Sequence, residues 1–133
     1  MKLLLISNST NYKEQYLGWC MPLIAEFLKN EKKNILFFPY AGINIGGKAY
    51  PESYDAYTER VQKVFKDFGF KVTSIHKAKC PVEAVNKADV IMVGGGNTFA
   101  LARKMQQQKL MTAIKNKIAQ GTPYVGWSAG SNV

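Results

Sequence analysis

The chain has 133 residues, 47% hydrophobic and 12% aromatic, which fits one domain, 1–133, with a core of ordinary size. The net charge of +9 comes from 18 basic and 9 acidic residues; sixteen of the basic residues are lysines spread along the chain, and Arg60 and Arg103 stand apart, so the arginine-rich, aromatic-interleaved stripe of a nucleic-acid reader is missing. No stretch reaches the ~18 to 20 apolar residues of a membrane span, and the apolar run after Lys2 is too short for a signal peptide. The expected setting is therefore the cytoplasm, with neither nucleic acid nor membrane as partner.

Cys20 and Cys80 lie far apart, outside any C-x-x-C spacing, and His76 is the single histidine. Neither a disulfide framework nor a metal site is implied, and Cys20 is expected in a core.

Taken in order, Lys2-Leu3-Leu4-Leu5-Ile6-Ser7 is a continuous apolar run, expected to form a strand buried on both faces and followed by a polar loop. Residues 12–30 carry one apolar helical stripe interrupted by Pro22, which predicts a kink or a second start. Asn34-Ile35-Leu36-Phe37-Phe38 is a buried strand, and the glycine-rich stretch 41–47 is expected to be a loop near a ligand cleft, without a phosphate-binding pattern.

Ser53 is placed as the cap of a helix over residues 54–68 with Tyr57, Val61, Val64, Phe65 and Phe68 inward and Gly69 as its stop. Residues 70–75 alternate like an outer strand, and Pro81 opens a short helix. Asp89-Val90-Ile91-Met92-Val93 is the next buried strand; it runs into Gly94-Gly95-Gly96-Asn97-Thr98, where Asn97 or Thr98 can cap a helix over 99–107. A helix over 110–119 with Met111, Ile114 and Ile118 inward stops at Gly121, and residues 123–127 form the fifth strand. Alternation of strands and helices predicts a doubly wound, mostly parallel α/β sheet with helices on both faces.

Two loops carry chemistry. Gly126-Trp127-Ser128-Ala129-Gly130 has the pattern of a turn that lifts a serine hydroxyl to the carboxyl end of a parallel sheet. Gly94-Gly95-Gly96 frees backbone N–H groups beside a helix start, a nest suited to a carboxylate, phosphate or oxyanion. Both loops open on the carboxyl edge of the sheet, so Gly95 or Gly96 can join Ala129 as oxyanion donors opposite Ser128.

These residues resemble peptidase E, the α-aspartyl dipeptidases, on Leu3-Leu4-Leu5-Ile6-Ser7-Asn8-Ser9-Thr10, Pro22-Leu23-Ile24-Ala25-Glu26, Pro39-Tyr40-Ala41-Gly42, Val93-Gly94-Gly95-Gly96-Asn97-Thr98-Phe99 and Val125-Gly126-Trp127-Ser128-Ala129-Gly130-Ser131-Asn132. The resemblance implies a fold like that of class I glutamine amidotransferases, with flavodoxin-like strand order. It also implies cleavage of dipeptides with an N-terminal aspartate, with Ser128 as nucleophile, Gly95, Gly96 and Ala129 holding the oxyanion, and Asn97 as a candidate substrate contact. No cofactor is called for.

The departure is at the carboxyl end. In the family the acid and the histidine follow the serine in a second half of about a hundred residues, whereas here only Ser131, Asn132 and Val133 follow the elbow motif. The helix that completes the elbow is not expected to form, and His76 is expected to be a surface residue rather than a substitute base. The strand at 123–127, which the resemblance places inside the family's sheet, is then expected to expose an edge and an apolar face that call for cover by a homo-oligomer or by a complementing second chain. Two other readings stand beside the peptidase: a weak or inactive short form that binds acidic ligands or serves assembly, and a flavodoxin-like nucleotide binder using residues 42–47 and 94–97.

Overall fold

The computed structural model describes residues 2–10, 15–32, 34–43 and 52–132. Five parallel strands, β1 (Leu3–Ile6), β2 (Asn34–Phe38), β3 (Lys71–Ser74), β4 (Val90–Val93) and β5 (Tyr124–Trp127), form one sheet in the order β1-β5-β4-β2-β3. The succession β3-β2-β4-β5 is the flavodoxin-like one, and β1 stands beyond β5, where that fold places its last strand.

The helices are α1 (Met21–Phe27), α2 (Glu52–Lys66), α3 (Pro81–Asn86), α4 (Thr98–Gln107), α5 (Leu110–Ala119) and the single turn α6 (Ala129–Asn132). Because strand side chains alternate between faces, each inner strand supplies both layers. Ile35, Phe37, Val90, Met92, Val125 and Trp127 pack with α1 and α2 on one face. Leu36, Phe38, Ile91, Val93 and Tyr124 pack with α3, α4 and α5 on the other.

Several expectations are corrected. β1 is buried on one face alone: Ile6 is buried, whereas Leu3 and Leu5 are 42% and 53% exposed, since α5 stands across a groove from them rather than over them. The open edge of the described sheet is β1 and not the strand at 123–127, because β5 is paired on one side with β1 and on the other with β4. The stripe over 12–30 yields a helix from Met21 only, with Pro22 in its first turn, where a missing N–H costs nothing; residues 11–14 lie outside the described residues. Ser53 does not cap α2 but lies inside it, buried, with its hydroxyl donating to the Gly42 carbonyl at 2.6 Å. Phe68 is exposed at 41%. The elbow does gain its helical start, since residues 129–132 suffice for one turn.

The remaining boundaries fall close to those expected. Asn97 caps α4, its Oδ1 accepting from the Ala100 N–H at 2.9 Å. Gly69 and Gly121 follow α2 and α5 at φ of 80° and 96°, and Cys20 is fully buried.

Candidate active site

Residues 7–10, 39–43, 94–97 and the turn at Ser128 all leave the carboxyl ends of parallel strands, so they gather on one edge of the sheet. Because β1 and β4 flank β5, loops 7–10 and 94–97 stand on either side of the serine.

Ser128 lies at φ 53°, in the left-handed region. Its N–H donates to the Ile6 carbonyl at 2.8 Å and its carbonyl accepts from Ser131 Oγ at 2.7 Å, so the reversal is held from both sides. The flanking glycine has a steric reason: a Cβ on Gly130 would overlap the Val93 carbonyl, and the Tyr124 hydroxyl already donates to the Gly130 carbonyl at 2.7 Å. Trp127 is buried in the layer below.

The glycine loop is pinned at both ends, with the Gly94 N–H on the Phe38 carbonyl at 3.2 Å and the Asn97 N–H on the Ala41 carbonyl at 2.8 Å. Between these points, no backbone hydrogen bond among the described residues engages the N–H of Gly95 or Gly96, and the same holds for Ala129. A methyl group on Gly95 would lie 2.7 Å from Ser128 Cβ and 3.3 Å from Ser128 Oγ. Only a glycine lets this loop close onto the serine.

A cavity of about 280 Å³ opens in front of them, lined by Asn8, Ser9, Thr10, Tyr16, Tyr57, Arg60, Gly95, Gly96 and Ser128. Arg60 is the one cation of this lining among the described residues, and its guanidinium carbon sits 5.5 Å from the centre of the Tyr16 ring. Tyr16 and Tyr57 are both held neutral. Burial pushes the Tyr16 hydroxyl well above the ordinary phenol range, the neighbouring Tyr57 adding to this, and burial likewise raises Tyr57.

The described lining contains neither a carboxylate nor an imidazole. His76 is not a surface residue: its side chain is 7% exposed, with Nε2 2.7 Å from Asp55 Oδ1 and Nδ1 against Ser74 Oγ. It faces two other clefts, one with Arg103 and Lys104 and one with Asp55 and Ser74, and lines no part of the Ser128 cavity. Asn97 spends its Oδ1 on the cap of α4 and is also outside the lining. Of the second glycine-rich stretch, 44–47 lie outside the described residues. Among the described residues, no group of three or more His, Cys, Asp or Glu could hold a metal ion, and no helix is long and apolar enough to cross a membrane.

The sequence model of Peptidase family S51 matches residues 3–133. The chain belongs to peptidase family S51. Among proteins named peptidase E, that of Nostoc sp. PCC 7120 is 43% identical over 132 residues, 99% of this chain and 52% of its own length. That of Pasteurella multocida Pm70 is 40% identical over 132 residues, 98% and 53% of the two lengths. A solved structure of a candidate peptidase E from Listeria monocytogenes EGD-e is 28% identical at a TM-score of 0.69, covering 96% of this chain and 58% of that one. A peptidase from an acI-B1 Actinobacterium shares the fold at a TM-score of 0.67. This S51 chain thus spans about half the length of the curated relatives it matches.

Sequence reading missed Tyr16, Tyr57 and Arg60 in this S51 cleft. Tyr57 sits on the apolar stripe of α2 and so reads as core; the available signal was that a buried tyrosine hydroxyl needs a partner.

Proposed function

We propose that this S51 protein is a serine-type peptidase that cleaves dipeptides with an N-terminal aspartate, acting in the cytoplasm. Ser128 Oγ is the nucleophile, and the N–H groups of Gly95, Gly96 and Ala129 are the oxyanion donors. The observation that carries the reading is the approach of Gly95 to within 3.3 Å of Ser128 Oγ, counted from a methyl it lacks, beside N–H groups without backbone partners among the described residues. Donors fixed where negative charge develops lower the barrier because they need no reorganisation during the reaction. Arg60 supplies the positive charge for the aspartate side chain, its planar fork suiting a carboxylate. Free cysteines at positions 20 and 80 suit a reducing compartment.

Attack by Ser128 sends the hydroxyl proton to a base. Tyr16 and Tyr57 cannot take it, since a hydroxyl with a raised pKa keeps its own proton at neutral pH. That the described lining holds no carboxylate or imidazole favours a second reading, in which the 133-residue chain binds acidic ligands without turnover. An oxyanion hole alone leaves a rate several orders of magnitude below that of a complete site.

Asp-Leu and aspartyl p-nitroanilide hydrolysis, with aspartate binding by calorimetry, separates the two. The peptidase reading expects turnover that disappears in Ser128→Ala, and in Arg60→Gln a KM about tenfold higher, the loss of one charged hydrogen bond. Binding without turnover supports the second reading, and an absence of both sinks the pair.

A further inference from the structure

Three polar side chains under the cleft form one directed chain of hydrogen bonds. Trp127 Nε1 donates to the Tyr16 hydroxyl oxygen at 2.9 Å, Tyr16 donates to the Tyr57 hydroxyl oxygen at 3.1 Å, and Tyr57 donates to the Gly95 carbonyl at 2.9 Å. Its polarity leaves no choice. An indole N–H can only donate and a carbonyl can only accept, so each hydroxyl between them must accept from one side and donate to the other. Both tyrosines must therefore carry their protons, and burial of both hydroxyls keeps them neutral. The rings are also fixed. Tyr57 stands edge-on to Phe37 at 5.1 Å between centroids and Tyr16 edge-on to Trp127 at 6.3 Å, so the hydroxyls are delivered by packed side chains rather than by mobile ones.

The chain starts at the residue before the nucleophile and ends on the oxyanion loop, two segments 32 positions apart in sequence, counted from Gly95 to Trp127. Its last bond takes hold of a peptide. In a trans peptide the carbonyl and the following N–H point in opposite directions, so fixing the Gly95 carbonyl on Tyr57 fixes the direction of the Gly96 N–H, which has no backbone partner among the described residues. A glycine loop on its own would rotate this peptide freely.

We propose that Tyr57 is a positioning residue for the oxyanion hole: its hydroxyl, oriented through Tyr16 by the indole of Trp127, holds the Gly95 carbonyl and thereby presents the Gly96 N–H as a donor for the anionic intermediate formed on Ser128. The proposal rests on the serine-peptidase reading above. The Tyr57 hydroxyl is bonded to Tyr16 and to the Gly95 carbonyl, not to Ser128 Oγ, so it acts through the loop. Tyr57→Phe keeps the ring against Phe37 and removes only the last link.

Two measurements on the 133-residue chain test this. The first follows the Gly95 and Gly96 amide resonances and their hydrogen exchange by ¹⁵N NMR in the wild type, Tyr57→Phe and Tyr16→Phe. The second titrates phenylboronic acid, whose boron bonds to the serine oxygen to give a tetrahedral anion while the hydroxyl proton passes to solvent, with Ser128→Ala as the blank. In Tyr57→Phe the Gly96 amide is expected to shift and exchange faster, and the boronate to bind about tenfold or more weakly, part of the 10²- to 10³-fold effect of losing one oxyanion donor. Tyr16→Phe is expected to show the same changes in smaller degree.

Unchanged amides, or equal boronate binding by the wild type and Tyr57→Phe, would overturn the positioning role while leaving the hydrolase reading in place. Failure of boronate to bind the wild type above the Ser128→Ala blank would overturn both. A thermal midpoint lowered in Tyr57→Phe with amides and boronate affinity unchanged would mark Tyr57 as a packing residue, against the proposal.

Discussion

Ser128 occupies a backbone conformation that costs a residue with a Cβ about 1 to 2 kcal/mol, at φ 53°. The strain is maintained by the Ile6 carbonyl, Ser131 Oγ and the Tyr124-to-Gly130 bond around it, and it turns the hydroxyl out of the sheet toward the cavity. Removing the hydroxyl and removing the strain are then separable. Ser128→Ala keeps the Cβ and the strained φ, whereas Ser128→Gly releases it, and glycine's greater freedom in the unfolded chain takes back part of the gain. Ser128→Gly is expected to be more stable than Ser128→Ala by about 1 kcal/mol in urea unfolding. Equal stabilities would mean the turn is unstrained. The sequence showed this residue clearly, because Gly-x-Ser-x-Gly is a local pattern, although the steric need of Gly130 comes from Val93 of the neighbouring strand β4. Tyr16 and Trp127, 111 positions apart, could not be paired in the same way. Their bond depends on where α1's approach and β5 meet in space, and no spacing encodes that.

At the scale of elements, alternation gave the inner strands and most helices, since period 2 against period 3.6 is a strong local signal. It failed where neighbours decide: β1 reads as doubly buried from Leu3-Leu4-Leu5-Ile6, and the groove between it and α5 leaves Leu3 and Leu5 half-exposed. His76 failed in the opposite sense. A lone histidine among polar residues reads as surface, yet the fold brings Asp55 of α2 over the turn Ile75–Lys77 that follows β3 and buries the imidazole between Asp55 and Ser74. His76 and Lys77, the latter at 3.0 Å, hold the Asp55 carboxyl below its ordinary value, the His76 hydrogen bond being the larger cause. A depressed carboxylate stabilises the fold above its unfolded value, near 3.9, and that contribution fades as pH falls through the lower folded value. Asp55→Asn is therefore expected to lower the thermal midpoint at pH 7 and to leave a shallower loss of stability on acidification below about pH 4. Parallel wild-type and variant curves between pH 2 and 7 would show that the link between α2 and β3 carries no such linkage.

Among the described residues, β1 has a strand on one side only, and on one of its faces Leu3 and Leu5 stay half-exposed. Leu3 and Leu5 border a groove of about 280 Å³ whose other wall is Met111, Ile114 and Ile118 of α5. Three features make this a surface that seeks cover: an edge with no strand partner among the described residues, two half-exposed leucines, and an apolar wall opposite. We propose that in a solution of the 133-residue chain the cover is a second copy, edge to edge through β1, because a self-complementary contact about a two-fold axis satisfies both edges at once. Burying one leucine side chain contributes about 1.5 to 3 kcal/mol, and a symmetric contact buries Leu3 and Leu5 of each copy. Size-exclusion with light scattering is expected to give about 30 kDa, twice the 14.9 kDa of the chain, at micromolar concentration. Leu5→Lys places a charge on the edge without entering the core that Ile6 shares with Trp127, so it should return the chain to a monomer with its fold retained by circular dichroism. A monomeric wild type, or a dimer indifferent to Leu5→Lys, would show that the β1 edge is not where the copies meet.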